Sequence, residues 1–200
     1  MPLDKYPFSD RYGWCNDRYG VSWQVILTGE SAPQQKITPV LMFVGDVCGK
    51  AEEAVNFYTS TFDNAGVDFI SRYGNDEEPN QEGTVKQASF ALEGQEFGAL
   101  ESAYKHDFTF NEAISFYVDC ENQAEVDYFW EKLSSVPEAE QCGWLKDRYG
   151  LSWQIIPKQL GEFLSSPDRE KADRTMQAML RMKKIDIPTL QKVYEEQTQK

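Results

Sequence analysis

The chain offers few groups for chemistry, and their spacing narrows the choice further. Its one histidine, His106, is accompanied by no nucleophile-elbow sequence, so a hydrolytic triad has no support. A lone histidine in a polar connection reads first as a solvated side chain, with general acid or base catalysis as the alternative. Cys15, Cys48, Cys120 and Cys142 form no close CxxC pair and have no histidine at zinc spacing. That pattern fits reduced, mostly buried thiols in a cytoplasmic protein. No glycine-rich loop of the dinucleotide or P-loop type follows a strand. Arg18 and Arg148 sit in identical Asp-Arg-Tyr-Gly turns. Two forked donors could make an anion-binding pair, but at hairpin tips solvated arginine is the stronger reading.

Those two turns belong to a larger repeat. Trp14-Cys-Asn-Asp-Arg-Tyr-Gly-Val-Ser-Trp-Gln-Val-Ile26 returns as Trp144-Leu-Lys-Asp-Arg-Tyr-Gly-Leu-Ser-Trp-Gln-Ile-Ile156, with nine identical positions. The chain therefore carries one structural unit twice. The second copy ends a long series of elements, whereas the first begins near Met1.

Periodicity supplies those elements. Asp17 to Gly20 is a hairpin turn leading into a strand at 21–27, and 30–36 is a polar linker. Val40 to Val44 is a short apolar strand. Ala51, Ala54, Val55, Tyr58 and Phe62 then mark one helix face, with Glu52 and Glu53 in its first turn. Strands follow at 67–73, 84–92 and 95–101, the first two joined by an acidic loop, which gives βαβββ. The order restarts with a strand at 114–119 and a helix carrying Val126, Phe129, Trp130 and Leu133. Strands near 138–144 and at 151–156 complete it, one strand of this module being poorly marked. The fold class expected is α+β, with modules at 37–101 and 114–156 and a helical tail over 157–200. In that tail Ala172, Met176, Met179 and Leu180 form a packing stripe, and Asp186 and Pro188 open a final helix.

The formal charge of −13 opposes nucleic acid and anionic membrane surfaces as partners. No apolar run approaches the ~20 residues of a membrane span.

Several separated motifs carry a resemblance. They are Ile37-Thr-Pro-x-Leu-x-Phe43, Ala54-x-x-Phe57-Tyr58, Phe110-Asn-Glu-Ala-Ile-Ser-Phe116, the Trp144 to Gln154 motif and Ala178-Met-Leu-x-Met-Lys-Lys184. Together they resemble the PhnB-like branch of the vicinal oxygen chelate superfamily, which includes glyoxalase I, bleomycin-resistance proteins and extradiol dioxygenases. Many members of the branch carry the name 3-demethylubiquinone-9 3-methyltransferase. The resemblance spans 37–190, and 1–29 matches the closing strands of another, truncated upstream unit. It implies two modules curled into one sheet with helices outside.

In metal-using relatives four side chains, from the starts and ends of strands, hold a divalent cation. The corresponding positions fall on Pro39, Ala113, Glu101 and Gln154, and Glu112 joins them only if the register slips by one. One good ligand in four implies no metal and no other cofactor. A methyltransferase would need an S-adenosylmethionine site, usually a glycine-rich strand-to-helix turn, which is absent. With Gln154 and Ser152 facing inward, alternation places Leu151, Trp153 and Ile155 under a helix. The same counting turns Leu41, Phe43, Phe97, Ala99, Glu101, Ser115 and Tyr117 inward. The expected cavity is thus lined by Leu41, Phe43, Phe97, Glu101, Ser115, Tyr117, Ser152 and Gln154. A side-chain-filled core is the alternative.

The function expected is non-metal binding of a small molecule. The alternatives are metal-dependent lyase, isomerase or dioxygenase chemistry, or the methyltransferase of the family name. Trp14, Tyr19, Trp23, Val25 and Ile26 are too apolar for a free hairpin, so 1–29 is expected to add to a sheet. That sheet is its own domain's or a neighbouring subunit's. The expected outcome is a homodimer, with exchange of the N-terminal strands as one form of it, and a loose remnant is the duller alternative.

Overall fold

A computed structural model describes residues 1–29 and 35–196. Most of the expected linker at 30–36, and residues 197–200 of the tail, lie outside the described residues. Contacts divide the chain into two compact units, Met1–Thr38 and Pro39–Lys200.

The first unit is an antiparallel meander of β1 (Asp4–Tyr6), β2 (Ser9–Asn16) and β3 (Ser22–Ile26). β2 and β3 pair from Tyr12↔Ile26 to Asn16↔Ser22. Gly20 takes the left-handed φ of 87° that their turn requires. Asp17 holds the turn with its side chain. Its Oδ1 accepts from the N–H of Tyr19 at 2.8 Å and of Val21 at 3.0 Å, while Oδ2 accepts from the Trp23 indole at 3.0 Å. An aspartate that replaces backbone acceptors in this way fixes a hairpin tip locally.

The second unit opens with β4 (Val40–Val44), α1 (Ala51–Thr61), β5 (Gly66–Arg72), β6 (Val85–Leu92) and β7 (Gln95–Ser102). They form a four-stranded sheet in the order β4-β7-β6-β5, with β4 parallel to β7 and the other pairs antiparallel. β8 (Ser115–Cys120), α2 (Gln123–Leu133), β9 (Trp144–Lys146) and β10 (Ser152–Pro157) repeat that plan. The second sheet is β8-β10-β9, with β8 parallel to β10 and β9 antiparallel to it. The topology is that of the first module with one strand fewer. The strand expected near 138–144 is instead a 3-10 turn at Pro137–Ala139 followed by the short β9. Pro137 cannot donate to a ladder, and Gly143 takes a φ of 87°, so neither suits a regular strand. The protein is α+β, built of paired modules.

Helices α1 and α2 share one core with the facing sides of both sheets. Tyr58, Phe43, Phe90, Leu133, Leu145 and Ile155 are among its fully buried side chains. Each contributes about 1.5–3 kcal/mol on burial. Aromatic rings join the modules across this core. Phe62 stacks on Trp153 at 5.4 Å, and Phe97 meets Phe116 edge-on at 5.1 Å.

The second copy of the repeat sits inside that core. Asp147 repeats the local geometry of Asp17, accepting from the N–H of Tyr149 at 2.9 Å and of Leu151 at 3.0 Å and from the Trp153 indole at 2.9 Å. A fourth donor comes from the other module, the Tyr58 hydroxyl of α1 at 2.7 Å. Burial pushes the Asp147 carboxyl above its usual range, opposed by those four donors, and it pushes the Tyr58 phenol up strongly. The arrangement commits α1 to the β9–β10 hairpin.

Three further helices close the chain: α3 (Lys158–Leu164), α4 (Arg169–Met179) and α5 (Ile187–Glu195). Asp168 and Asp186 cap the last two. Leu160, Phe163, Ile185 and Leu190 make a small second core. Of the expected α4 stripe only Ala172 is buried, while Met176 and Leu180 are exposed. The tail is pinned to the second module by Met182 and Lys183, whose carbonyls accept from the N–H groups of Cys142 and Gly143, both at 2.8 Å. Gly143 takes a left-handed φ of 87°, and a Cβ there would lie 3.0 Å from the Ile155 carbonyl oxygen, so the junction strongly favours glycine.

Two outcomes follow from this packing. Asp147→Ala should lower unfolding stability in urea by about 3 kcal/mol, because it strands a buried phenol and indole. Tyr58→Phe should cost about 1–2 kcal/mol, and the double variant should lose much less than the sum. In a thiol-reagent titration at pH 8, exposed Cys15 should react at once. Cys120, buried and pushed up to about 12, should react only on unfolding.

Candidate functional site

The eight side chains expected around one cavity divide between two surfaces. Leu41, Phe43, Phe97 and Glu101 are buried in the core between the first sheet and α1. Phe43 is wedged edge-on against Phe110 at 5.1 Å, and Phe97 stacks on Phe90 at 5.5 Å. These positions are filled, so the cavity expected there is replaced by packing. Strand β4 explains the reversal. Val40-Leu-Met-Phe-Val44 is apolar at every position, and such a run does not reveal which face is covered.

Glu101 has a specific partner in that core. Its Oε1 accepts from the Ala51 N–H at 2.6 Å and its Oε2 from the Val85 N–H at 3.2 Å. Lys50, at the N-cap position of α1, offers no side-chain cap of its own. A carboxylate fifty residues away thus satisfies the first turn of the helix, where the dipole favours negative charge. Burial nevertheless raises its pKa, with the backbone donors pulling the other way. The β4–α1 turn carries left-handed Gly45 and Gly49 and outwardly resembles an anion-binding loop. Glu101 already occupies the position at Ala51 that a phosphate would take.

Ser115, Tyr117, Ser152 and Gln154 lie together on the helix-free face of the second sheet. The register sets Ser115 beside Ser152 and Tyr117 beside Gln154, and it continues to Lys146 and Trp144 on β9. Gln154 donates to the Ser115 hydroxyl at 2.8 Å. Lys146 pairs with Glu112 at the edge. Tyr117 is 58% exposed, and partial burial together with the Asp119 charge raises its pKa. The Ser152 hydroxyl is buried and has no hydrogen-bond partner among the described residues. Here the alternation is legible, since Leu151, Trp153 and Ile155 pack in the core beneath α2. The patch combines donors, acceptors and two aromatic rings, a set suited to a partly apolar molecule with hydrogen-bonding groups.

The residues do not fit the superfamily's divalent metal. Pro39 and Ala113 bring no donor atom, Glu101 is engaged beneath α1, and Gln154 is an amide tied to Ser115. Among the described residues no three His, Cys, Asp or Glu side chains cluster as ligands. His106 bonds to the Ser102 hydroxyl at 2.8 Å. An open groove of about 410 Å³ lies on α4 and α5 and involves neither sheet. The arginines of the two turns are treated differently. Arg148 stacks over Phe57 at 4.4 Å and Arg18 over Tyr19 at 4.6 Å, so both are engaged by aromatic faces.

Paired modules, each with its first and last strands parallel, give a fold of the PhnB-like, glyoxalase-fold class. The chain belongs to the 3-demethylubiquinone-9 3-methyltransferase family, whose model matches residues 3–26 and 35–156. It is similar to the solved structure of the PhnB protein from Bacillus cereus, which carries that methyltransferase name. The two share 47% identity over 62% of this chain and 99% of that one, with a TM-score of 0.53. A protein from Staphylococcus aureus shares 27% identity over 62% and 96% of the two chains, with a TM-score of 0.29. One from Pseudomonas aeruginosa shares 18% over 60% and 95%, with a TM-score of 0.47. No curated protein matches.

If Glu101 is a helix cap and not a metal ligand, Glu101→Gln should lower stability by about 1–2 kcal/mol, from loss of a charge-assisted bond at the helix start. Divalent cations should raise the melting temperature of neither form. A cation-dependent rise that disappears in the variant would contradict the assignment.

Proposed function

We propose that this protein binds a small, partly apolar molecule on the helix-free face of its second sheet, without a metal ion. The observation that carries the reading is the buried, unpartnered Ser152 hydroxyl beside the Gln154–Ser115 bond and the exposed Tyr117 ring. A buried hydroxyl without a partner costs about 1–3 kcal/mol, which a ligand that displaces the side chains over Ser152 and accepts its hydrogen bond would recover. Metal-dependent lyase, isomerase or dioxygenase chemistry lacks the donor set. The Bacillus cereus relative's name suggests methyl transfer, but among the described residues the strand-to-helix turn with two left-handed glycines, Gly45–Lys50, has its helix end closed by Glu101.

The reading extends to assembly and location. Val40, Phe69 and Tyr117 are 43%, 47% and 58% exposed on the helix-free faces, which favours closure of those faces in a homodimer. Among the described residues no helix is long and apolar enough to cross a membrane. Four free thiols favour a reducing, cytoplasmic setting.

A melting-temperature screen against a metabolite panel, run with and without a chelator, tests the proposal. A binder is stabilised by mass action whatever its chemistry. At least one compound class should raise the melting temperature equally in both conditions. Ser152→Ala should leave the free protein as stable or about 1 kcal/mol more stable, yet lose most of the ligand-induced rise. A rise that vanishes with the chelator, or that Ser152→Ala and Gln154→Ala leave intact, would refute this site.

A further inference from the structure

The repeat places the same hairpin in two surroundings, and the comparison shows what one copy lacks. In the second unit α2 lies over the strands β9 and β10, and α1 meets the turn between them. Tyr58 donates to Asp147, the Tyr149 hydroxyl donates to Glu53 at 3.0 Å, and Arg148 stacks over Phe57. Between the two helices Tyr149, Leu151, Trp153 and Ile155 are all below 5% exposure. In the first unit the corresponding Tyr19, Trp23 and Val25 are 75%, 41% and 54% exposed. Arg18 and Tyr19, whose counterparts reach Phe57 and Glu53, bond to each other instead. Asp17 keeps the two backbone donors and the indole but has no phenol among the donors to its side chain.

We propose that the turn end of the exposed β2–β3 hairpin is a docking site for an α-helix of another polypeptide, one that carries Glu-x-x-x-Phe-Tyr as α1 does at Glu53, Phe57 and Tyr58. The helix tyrosine donates to Asp17 Oδ2, its phenylalanine lies under Arg18, and its glutamate accepts from Tyr19. Charge complementarity selects this occupant: Arg18 at the tip faces the helix glutamate, just as Glu53, whose pKa is lowered first by its bonds to Lys50 and Tyr149, also feels the charge of Arg148. A second copy of this chain does not qualify as donor. Its Tyr58 is fully buried with the hydroxyl committed to Asp147, so the exchange of N-terminal strands expected from the sequence would require displacing β9–β10.

The test uses the full chain and a synthetic peptide of residues 49–62, stapled between positions 52 and 56 to hold it helical, with binding followed by calorimetry. Saturable 1:1 binding is expected. Replacing the peptide's Tyr58 by Phe should weaken it about tenfold, and so should Asp17→Asn in the chain, with a smaller loss for Arg18→Ala. Light scattering should give the same mass for the chain with and without Trp23→Ala. No saturable binding, or binding that Asp17→Asn and Arg18→Ala leave unchanged, overturns the proposal. A homodimer that falls to monomer on Trp23→Ala also overturns it, since a second copy would then be the cover. The metabolite screen reads a different face, so failure of one proposal leaves the other standing.

Discussion

The second unit depends on one buried carboxylate. Asp147 gathers two backbone N–H groups of its own turn, the indole two strand residues beyond the turn and a phenol from the other module. A carboxylate has about four acceptor positions, and here four donors meet it. The local three shape the hairpin, and the fourth decides where the hairpin goes. Without the Tyr58 bond the modules would still have aromatic contacts, but contacts of that kind tolerate sliding. A directional bond between buried groups does not, because any other register leaves polar atoms unpaired in a low-dielectric interior.

Glu101 does a similar task within the first module. It ties the start of α1 to β6 and β7 through two backbone donors. Both acidic residues are thus spent on structure. Polar groups that a chemist would reach for first, a buried Asp and a buried Glu, belong to the scaffold, and the proposed binding surface is made from serine, glutamine and aromatic side chains.

How far the sequence revealed this can be judged from individual strands. β10 was readable because polar Ser152 and Gln154 alternate with Leu151, Trp153 and Ile155, so only one face can be buried. β4 was not, since all five of its residues are apolar, and on its neighbour β7 the phase rests on Glu101. That glutamate points under the helix because it caps it, a long-range contact that no local pattern encodes. The Asp147 cluster did leave a trace. The Asp and the Trp recur at the same spacing in both repeats, and a shared local hydrogen bond explains why they travel together. The Tyr58 partner, 89 residues away, left none. The missing strand of the second module was visible only as weak patterning between Pro137 and Gly143.

The capping of α1 by Glu101 also bears on how fast molecules arrive. A helix start normally offers a patch of positive potential that draws anions from solution. Here that potential is absorbed internally by a carboxylate, on a chain whose formal charge is −13. The surrounding field therefore slows the approach of anionic molecules and leaves neutral ones unaffected, within the ~10 Å over which salt at 0.1 M permits it to act. Encounter rates alone would sort visitors by charge before any contact with Ser152 or Gln154 discriminates among them.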